Sequence, residues 1–236
     1  RGLGHGNTHA VVLTPSTPQE MLDLTMLAFR LTFKYRNPVV IAADGYLGQI
    51  TGRVHLPEAM TEPGIPEWAV FGDREHRHNL INSIRLAEAD LEQHNERLNA
   101  KYSLMISEEQ RAKTFKTDDA NILVLSCNTP ARMAKGAVEK LRREGVPIGL
   151  FQPVTLWPFP IDHLKPLLGE NRVTDILVVE ASAGQLEDEL RLALSHAGVH
   201  GIGIHHLRRM GGMLPQEPDI VEAARGVLRR KEEVAS

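Results

Sequence analysis

The sequence is poor in cysteine, in aromatic residues and in long apolar runs. Its single cysteine, Cys127, excludes an intrachain disulfide, and these residues alone cannot supply four thiolates for an iron–sulfur cluster or a structural zinc site. Because disulfides are rare in reducing compartments, we predict a cytoplasmic protein. No apolar run is long enough to cross a bilayer and no signal-peptide pattern opens the chain, so we expect no membrane partner.

Positive and negative charges nearly balance. The formal net charge of −3 gives no electrostatic reason to expect nucleic acid as a partner. Apolar residues make up 42% of the chain, which is enough for the core of one or two domains. The chain opens with Arg1 instead of Met in a glycine-rich stretch that is typical of the interior of a longer polypeptide, so we expect residues upstream.

Residues 1–57 predict the end of an α/β domain. Val11–Leu13 is a short buried strand, and Thr17-Pro18-Gln19-Glu20 is a capping box that begins a helix with two apolar stripes, predicted to be largely buried. A second strand, Val39–Ala43, follows, which makes a βαβ unit with parallel strands. Because two strands and a helix are too few for a domain, we expect the missing strands upstream or on another chain.

Residues 58–117 predict an irregular crossing and a helical linker. Trp68 and Phe71 are its expected anchors, and a single apolar stripe from Ala87 to Met105 lies among charged residues. His76 and His78 lack companion ligands at a recognised metal spacing, so surface histidines are favoured over a metal site.

Residues 118–236 predict a doubly wound parallel sheet, because apolar strands and helices alternate with short connections. Cys127-Asn128-Thr129 lies at the carboxyl end of one strand, where it is either an activated thiol or, as the residues favour, an inert one. Asp44 lies beyond the strand at residues 39–43 and is either a ligand-binding residue or a loop-forming one. Neither GxxxxGK[ST] nor GxGxxG occurs, so a nucleotide site has little support. The predicted strands are Ile122–Ser126, Val146–Phe151, Asp175–Glu180 and Gly201–Leu207.

Three prolines stiffen the stretch from Pro153 to Pro160, since proline fixes φ and holds the preceding residue extended. It is predicted to be a rigid strand-to-helix connection with a buried Trp. Trp157 and Phe159 are expected to anchor the edge of the last domain against its neighbour.

The order of several motifs resembles the α-type subunit of 2-oxoacid:ferredoxin oxidoreductases, in particular the C-terminal portion of the 2-oxoisovalerate and 2-oxoglutarate branch. The motifs span almost the whole chain, and their order and spacing are more specific than any one of them. They are Gly4-His5-Gly6, Tyr35–Val39, Asp44-Gly45, Asn79–Ser83, Glu92–Asn95, Thr155–Pro160, Gly184–Asp188 with Arg191–Ala193, and Gly211–Pro215.

The resemblance implies thiamine diphosphate with Mg²⁺, oxidative decarboxylation of a 2-oxoacid to an acyl-CoA, and electron transfer through iron–sulfur clusters to ferredoxin. It implies that residues 1–57 end a pyrimidine-binding domain and that residues 118–236 form a transketolase C-terminal-like domain. The activating Glu and the substrate-binding Arg motif would lie upstream of Arg1. The metal ligands and the cluster cysteines would lie on β, γ and ferredoxin-like partner subunits. The chain alone would then be inactive and would function in an oligomer.

The resemblance names no catalytic residue or metal ligand in this chain, but it suggests residues at the edge of the active site. The family's usual Gly-Thr/Ser pair is Cys127-Asn128-Thr129 here, and its Met-Asn-Met is Ala181-Ser182-Ala183. Packing variation is favoured over a changed substrate. Two alternatives stay open: a non-catalytic module that docks subunits, or a component of a transketolase-like or 2-oxoacid dehydrogenase E1-type enzyme. The active-site-edge candidates are His5, Asn7, Asp44, Gln49, Asn128, Gly184, Gln185, Arg209, Gly211 and Gly212.

Overall fold

A computed structural model describes residues 8–58, 64–82, 84–169 and 172–235, so the candidates His5 and Asn7 lie outside the described residues. Two short 3-10 helices cover Glu75–Asn79 and Lys165–Leu167. The strands are β1 (Val11–Leu13), β2 (Val39–Ile41), β3 (Ala112–Phe115), β4 (Ile122–Ser126), β5 (Ile148–Pro153), β6 (Thr155–Trp157), β7 (Asp175–Glu180) and β8 (Gly203–Arg208). The helices are α1 (Pro18–Tyr35), α2 (Glu88–Glu108), α3 (Asn128–Arg143), α4 (Ile161–Leu164), α5 (Gln185–His196) and α6 (Glu217–Ala235).

Helix α1 begins at the predicted capping box. Thr17 Oγ1 accepts a hydrogen bond from the backbone N–H of Glu20 at 3.1 Å, while the Glu20 carboxylate reaches back to the N–H of Ser16 at 2.6 Å. The stripe that includes Leu24, Ala28, Leu31 and Tyr35 is buried. The second apolar stripe is not: Phe29 is 56% exposed and Phe33 is 46% exposed, so the prediction of a largely buried helix was wrong on that face.

The first sheet has the order β2-β1-β6. Strands β1 and β2 are parallel, which confirms the predicted βαβ unit. Strand β6 pairs antiparallel with β1 and places Trp157 opposite Val12. The expectation that every missing strand lies upstream or on another chain was therefore wrong. One comes from the proline-rich stretch of this chain, where the sequence predicted only a connection.

The second sheet has the order β3-β5-β4-β7-β8, and four of its strands are parallel as predicted. Strand β3, which the sequence did not predict, adds an antiparallel edge against β5. One face of the sheet packs against α3 and α6 through Ala134, Leu141 and Ile220. The other face packs against α5 through Leu186, Leu190 and Leu194. Helices on both faces give the doubly wound architecture.

Helix α2 packs along only part of its length. Tyr102 and Met105, near its carboxyl end, are buried against the first sheet, whereas Leu91 is 42% exposed. Trp68 donates from its indole N–H to the carbonyl of Phe33 at 3.0 Å, as expected of an anchor, but Phe71 is 47% exposed. Among the described helices, none combines the length and the apolar character needed to span a bilayer.

The proline-rich stretch joins the two cores. Trp157 is buried in the core of the first sheet, where it stacks on the His9 ring with 4.8 Å between centroids and meets Tyr102 edge-on. Two residues later, Phe159 is buried in the core between the second sheet and α5. The two predicted anchors therefore lie in different cores, and each ties the stretch to one of the two sheets.

Candidate functional site

A cleft of about 500 Å³ lies between the two sheets, where the carboxyl ends of β2, β4 and β7 meet the starts of α3 and α5. Ligands of parallel sheets gather at such ends, because the connections there leave a crevice and expose helix N-termini. Its lining comes from both sheets: Val12, Ala42, Ala43, Asp44, Cys127, Asn128, Pro130, Leu156, Trp157, Glu180, Ala181, Ser182, Gln185, Leu186 and Glu189.

Asp44 caps a helix that belongs to the other sheet. Its Oδ2 accepts from the backbone N–H of Thr129 at 2.7 Å, and its Oδ1 accepts from the Thr129 hydroxyl at 2.9 Å. Oδ1 also accepts from the N–H of Leu47 at 2.8 Å, which closes the turn after β2. The carboxylate thus satisfies N–H groups that a helix start leaves without partners, and its charge suits that end of the helix dipole.

Asn128 makes the reciprocal connection. Its amide nitrogen donates to the carbonyl of Ala42 at 2.7 Å and to the carbonyl of Pro15 at 3.0 Å. The residue adopts φ 55°, a left-handed conformation that Asn tolerates better than most side chains. Asn128 stands where the family that the sequence resembles has its Gly-Thr/Ser pair, and its hydrogen bonds connect the two sheets.

The Cys127 thiol is not activated. Burial, together with the nearby carboxylates of Glu180 and Asp44, raises its pKa to about 12. A thiol with that pKa stays protonated at neutral pH and is a poor nucleophile. The inert alternative is the one that the structure supports.

Glu180 ends β7 and lies almost entirely within the protein, with 3% of its surface exposed. Its Oε2 accepts hydrogen bonds from the Ser182 hydroxyl and, at 3.0 Å, from the backbone N–H of Leu186 in the first turn of α5. Its Oε1 is buried without a hydrogen-bond partner among the described residues. The side chain thus orders the loop before α5 and still has one free acceptor beside the cleft.

The loop before α5 requires glycine at position 184. Gly184 has φ 122°, and a Cβ there would lie 3.0 Å from Cζ of Arg208. That guanidinium donates to Glu187 at 2.5 Å, and Arg191 donates to the other oxygen of Glu187 at 2.8 Å. Burial alone would raise the pKa of Glu187, but these hydrogen bonds outweigh it and hold the pKa below its ordinary value.

The structure brings three of the candidates into the lining of the cleft, Asp44, Asn128 and Gln185, with Gly184 adjoining them. The other candidates among the described residues do not line it. Gln49 lies in an exposed turn, where its N–H donates to the carbonyl of Tyr46 at 3.0 Å. The guanidinium of Arg209 lies 3.3 Å from Asp219 on α6. An exposed turn after β8 contains Gly211 and Gly212 at φ 65° and 86°.

The polar groups of the cleft are mostly hydrogen-bond acceptors. Three carboxylates line it, from Asp44, Glu180 and Glu189, and no lysine, arginine or histidine is among its described lining residues. Apolar walls of Leu156, Leu186 and Trp157 complete it. An arrangement of this kind attracts positive charge and repels phosphate and carboxylate groups.

The sequence did not predict Glu180 and Glu189 as site residues, and it placed Ser182 in a loop of interest without making it a candidate. The sequence did hold a signal for Glu180. It is a charged residue at the end of an apolar strand, and a buried Glu needs specific partners. The His76 ring lies in an exposed segment, where its Nδ1 is 2.9 Å from Asp73 Oδ1. Among the described residues, no group of three or more His, Cys, Asp or Glu is arranged to hold a metal ion.

Two family signatures match consecutive parts of the chain. Residues 3–116 match a thiamine diphosphate-binding domain of pyruvate flavodoxin/ferredoxin oxidoreductases. Residues 120–220 match core domain II of pyruvate:ferredoxin oxidoreductase.

Curated relatives include the ketoisovalerate oxidoreductase subunit VorB of Methanothermobacter thermautotrophicus, 40% identical over 96% of this chain and 63% of the relative. The 2-oxoglutarate synthase subunit KorA of Methanocaldococcus jannaschii is 29% identical over 79% of this chain and 56% of the relative. The chain thus spans less than two thirds of the length of these relatives.

Solved structures share the fold at low identity. A 2-oxoglutarate:ferredoxin oxidoreductase from Magnetococcus marinus superposes with a TM-score of 0.69 at 19% identity, over 94% of this chain and 43% of the other. A split-gene transketolase superposes with a TM-score of 0.51 at 14% identity, over 93% of this chain and 57% of the other.

Proposed function

Because the chain belongs to the family of 2-oxoacid:ferredoxin oxidoreductase subunits, we propose that it is part of an enzyme that oxidatively decarboxylates a 2-oxoacid, forms an acyl-CoA and passes electrons to ferredoxin. The observation that carries the proposal is the succession of the two family domains in one chain, at residues 3–116 and 120–220. We further propose that residues 1–57 end the pyrimidine-binding domain, that residues 58–117 link it onward, and that residues 118–236 form the transketolase C-terminal-like domain.

The contacts between the two sheets support a fixed position of one domain beside the other. Strand β6 belongs to the first sheet although it follows β5 of the second, and Asp44 and Asn128 add side-chain hydrogen bonds across the boundary. Thr14 Oγ1 adds another, donating to the carbonyl of Pro153 at 2.9 Å. An active site built where domains meet needs such fixed contacts, because small displacements of reacting groups are costly.

The cleft does not fit the diphosphate end of thiamine diphosphate. Asp44, Glu180 and Glu189 line it without a described cationic side chain, so the phosphates would meet like charges. We propose that the diphosphate, its Mg²⁺ and the iron–sulfur clusters are held by other parts of the assembly, on β, γ and ferredoxin-like partner subunits. The single Cys127 agrees with clusters held elsewhere. On this proposal the chain is inactive alone.

A branched-chain 2-oxoacid is the substrate that the comparisons favour. Two ketoisovalerate oxidoreductase subunits are 40% and 39% identical to the chain, whereas four 2-oxoglutarate synthase subunits are 27–29% identical. We therefore propose 2-oxoisovalerate ahead of 2-oxoglutarate.

The test uses the full protein purified with the subunits that accompany it. With thiamine diphosphate, Mg²⁺ and CoA present, ferredoxin reduction is expected to depend on a 2-oxoacid, with the highest kcat/KM for 2-oxoisovalerate. The matched control is the same assembly reconstituted without this chain, which is expected to be inactive. Equal rates with and without the chain would overturn the proposal, and a higher kcat/KM for 2-oxoglutarate would overturn only the choice of substrate.

A further inference from the structure

Glu180 has an acceptor atom that the described part of the protein leaves without a partner. One carboxylate oxygen, Oε2, accepts from Ser182 and Leu186, while Oε1 is buried and unpaired. A buried carboxylate oxygen without a donor is destabilising, because the hydrogen bonds it makes to water in the unfolded chain are not replaced. Such an atom beside a cleft indicates a ligand that supplies the donor.

The neighbouring cation does not satisfy this oxygen. Arg208 is the register partner of Glu180 on the adjacent strand, so the two side chains leave the same face of the sheet. Its guanidinium donates to Glu187 at 2.5 Å, and its charge acts on Glu180 without a hydrogen bond to Oε1. The position of Arg208 is further limited by Gly184, which packs against the guanidinium.

The rest of the cleft determines which donor is suitable. Asp44 and Glu189 add two more carboxylates to the lining, and none of its described residues is cationic. Arg208, behind Glu180, offsets part of this negative charge, but the three carboxylates of the lining still favour a positive ligand. The walls from Leu156, Trp157 and Leu186 are apolar and suit an alkyl body. A volume of about 500 Å³ lies within the range of small-molecule sites.

From these contacts we propose that the cleft binds a small organic ammonium ion, with an N–H of the ligand donating to Oε1 of Glu180 and its alkyl part against the apolar walls. A bare metal ion suits the site less well, because no described group of three or more His, Cys, Asp or Glu is arranged to hold one. Asp44 is already occupied by Thr129 and Leu47, which leaves Glu180 as the principal contact. The proposal is independent of the proposed oxidoreductase activity, because the ligand is neither a 2-oxoacid nor thiamine diphosphate.

The test is a calorimetric titration of the full protein, with the subunits that accompany it, using three probes of similar length. n-Butylammonium has both a charge and N–H donors, n-butyltrimethylammonium has the charge alone, and butyrate has the opposite charge. n-Butylammonium is expected to bind at least tenfold more tightly than the quaternary ion, and butyrate is expected not to bind, since charge-assisted hydrogen bonds are stronger than contact with charge alone.

Two variants change the lining of the cleft, one on the second sheet and one on the first. Glu180→Gln keeps an oxygen for Ser182 and Leu186 but removes the charge, and it is expected to weaken n-butylammonium binding at least tenfold. Ala43→Leu adds volume at an exposed position of the lining, in the loop after β2 on the first sheet, and it is expected to weaken binding by occupying the cleft. The matched control is Glu222→Gln, which removes an exposed carboxylate paired with Arg229 and is expected to leave binding unchanged.

Three results would overturn the proposal. They are an absence of n-butylammonium binding, equal affinity for the primary and the quaternary ion, or affinity unchanged by both Glu180→Gln and Ala43→Leu. Since the titration requires no turnover, an inactive assembly that still binds n-butylammonium would count against the proposed activity and not against this site.

Discussion

The Asp44 carboxylate lies 2.7 Å from the backbone nitrogen of Thr129, 85 positions further along the chain. A carboxylate from the first sheet thus caps the helix that follows β4 in the second, a task that N-cap side chains usually perform from within the helix itself. Cys127, which occupies the N-cap position of α3, makes no such bond. The start of α3 therefore depends on the two sheets staying together.

Removing this cap is expected to destabilise the protein. Asp44→Ala deprives Thr129 of both its acceptors and is expected to lower the free energy of unfolding by about 1–2 kcal/mol, with Asp44→Asn intermediate because one acceptor oxygen remains. Urea denaturation measures the change. The control is Asp23→Ala on the exposed face of α1, where the expected change is within about 0.5 kcal/mol. Equal effects of the two alanine variants would show that the cap contributes nothing.

Gly184→Ala is expected to cost more than a comparable substitution at another positive-φ glycine. The new methyl group would both strain the backbone and meet Arg208 at 3.0 Å, which disturbs its hydrogen bond to Glu187. We expect a loss of about 2–3 kcal/mol. Gly145→Ala isolates the backbone contribution, because Gly145 has φ 83° with open space around it, and about 1 kcal/mol is expected there. Denaturation midpoints that fall equally for both would contradict the role of the Arg208 contact.

The ion pairs of Glu187 are expected to make stability depend on acid pH. Its pKa in the folded protein lies below the ordinary 4.5 of the unfolded chain, so the unfolded chain binds a proton more readily there. The stabilisation is complete above pH of about 4.5 and disappears as the pH falls through the folded-state pKa. Unfolding free energies measured from pH 3 to 7 are expected to fall less steeply toward acid for Glu187→Gln. The control is Glu222→Gln, which removes an exposed carboxylate paired with Arg229. If the unfolding free energy of Glu187→Gln falls toward acid pH as steeply as that of the unchanged protein, the assignment is refuted.

Cys127 is expected to resist alkylation. With its pKa raised from the ordinary 9.0 to about 12, the thiolate fraction at pH 8 is lower by about a thousandfold. Iodoacetamide labelling of the folded protein, followed by mass spectrometry, is expected to be at least a hundredfold slower than labelling of the protein unfolded in urea. Comparable rates in the two states would mean that the pKa of the thiol is not raised in the folded protein.

Truncating the two aromatic anchors is expected to affect different parts of the protein. Trp157→Ala removes packing from the core of the first sheet and Phe159→Ala removes it from the core beneath α5, each at a cost of about 3–5 kcal/mol. In hydrogen exchange, the first variant is expected to weaken protection mainly in α1 and β1, and the second mainly in α5 and β7. Identical protection patterns for the two variants would show that the anchors do not serve separate cores.

The parallel strands could be predicted from the sequence because their signal is local. Ile122–Ser126 and the apolar centre of Asp175–Glu180 are continuous buried runs, typical of strands covered on both faces. Strands β3 and β6 left no comparable signal. In Ala112–Phe115 only the two end residues are partly buried, and Lys113 and Thr114 between them are exposed at the edge of the sheet. Thr155–Trp157 is a strand only because β1 lies beside it. Pairing partners distant in sequence are not visible in either segment.

The sequence predicted part of the candidate site, as it predicted part of the two sheets. Asp44, Asn128 and Gln185 follow the carboxyl ends of strands or start helices, and general rules for parallel sheets place them at the cleft. Glu180 was missed because its importance lies in how completely it is buried and in one unpaired oxygen, and both depend on the packed tertiary structure. Arg209 illustrates the converse, since it follows a strand end but its side chain pairs with α6.

The passage of the chain from β5 directly into β6 has a consequence for any division of the gene. A break between the two family domains, after residue 116, would separate the first sheet from the strand that forms one of its edges. The amino-terminal product would expose the backbone of Val11–Leu13 to non-native pairing. Two polypeptides made in this way would have to find each other before either sheet was complete, so their folding rate would depend on concentration.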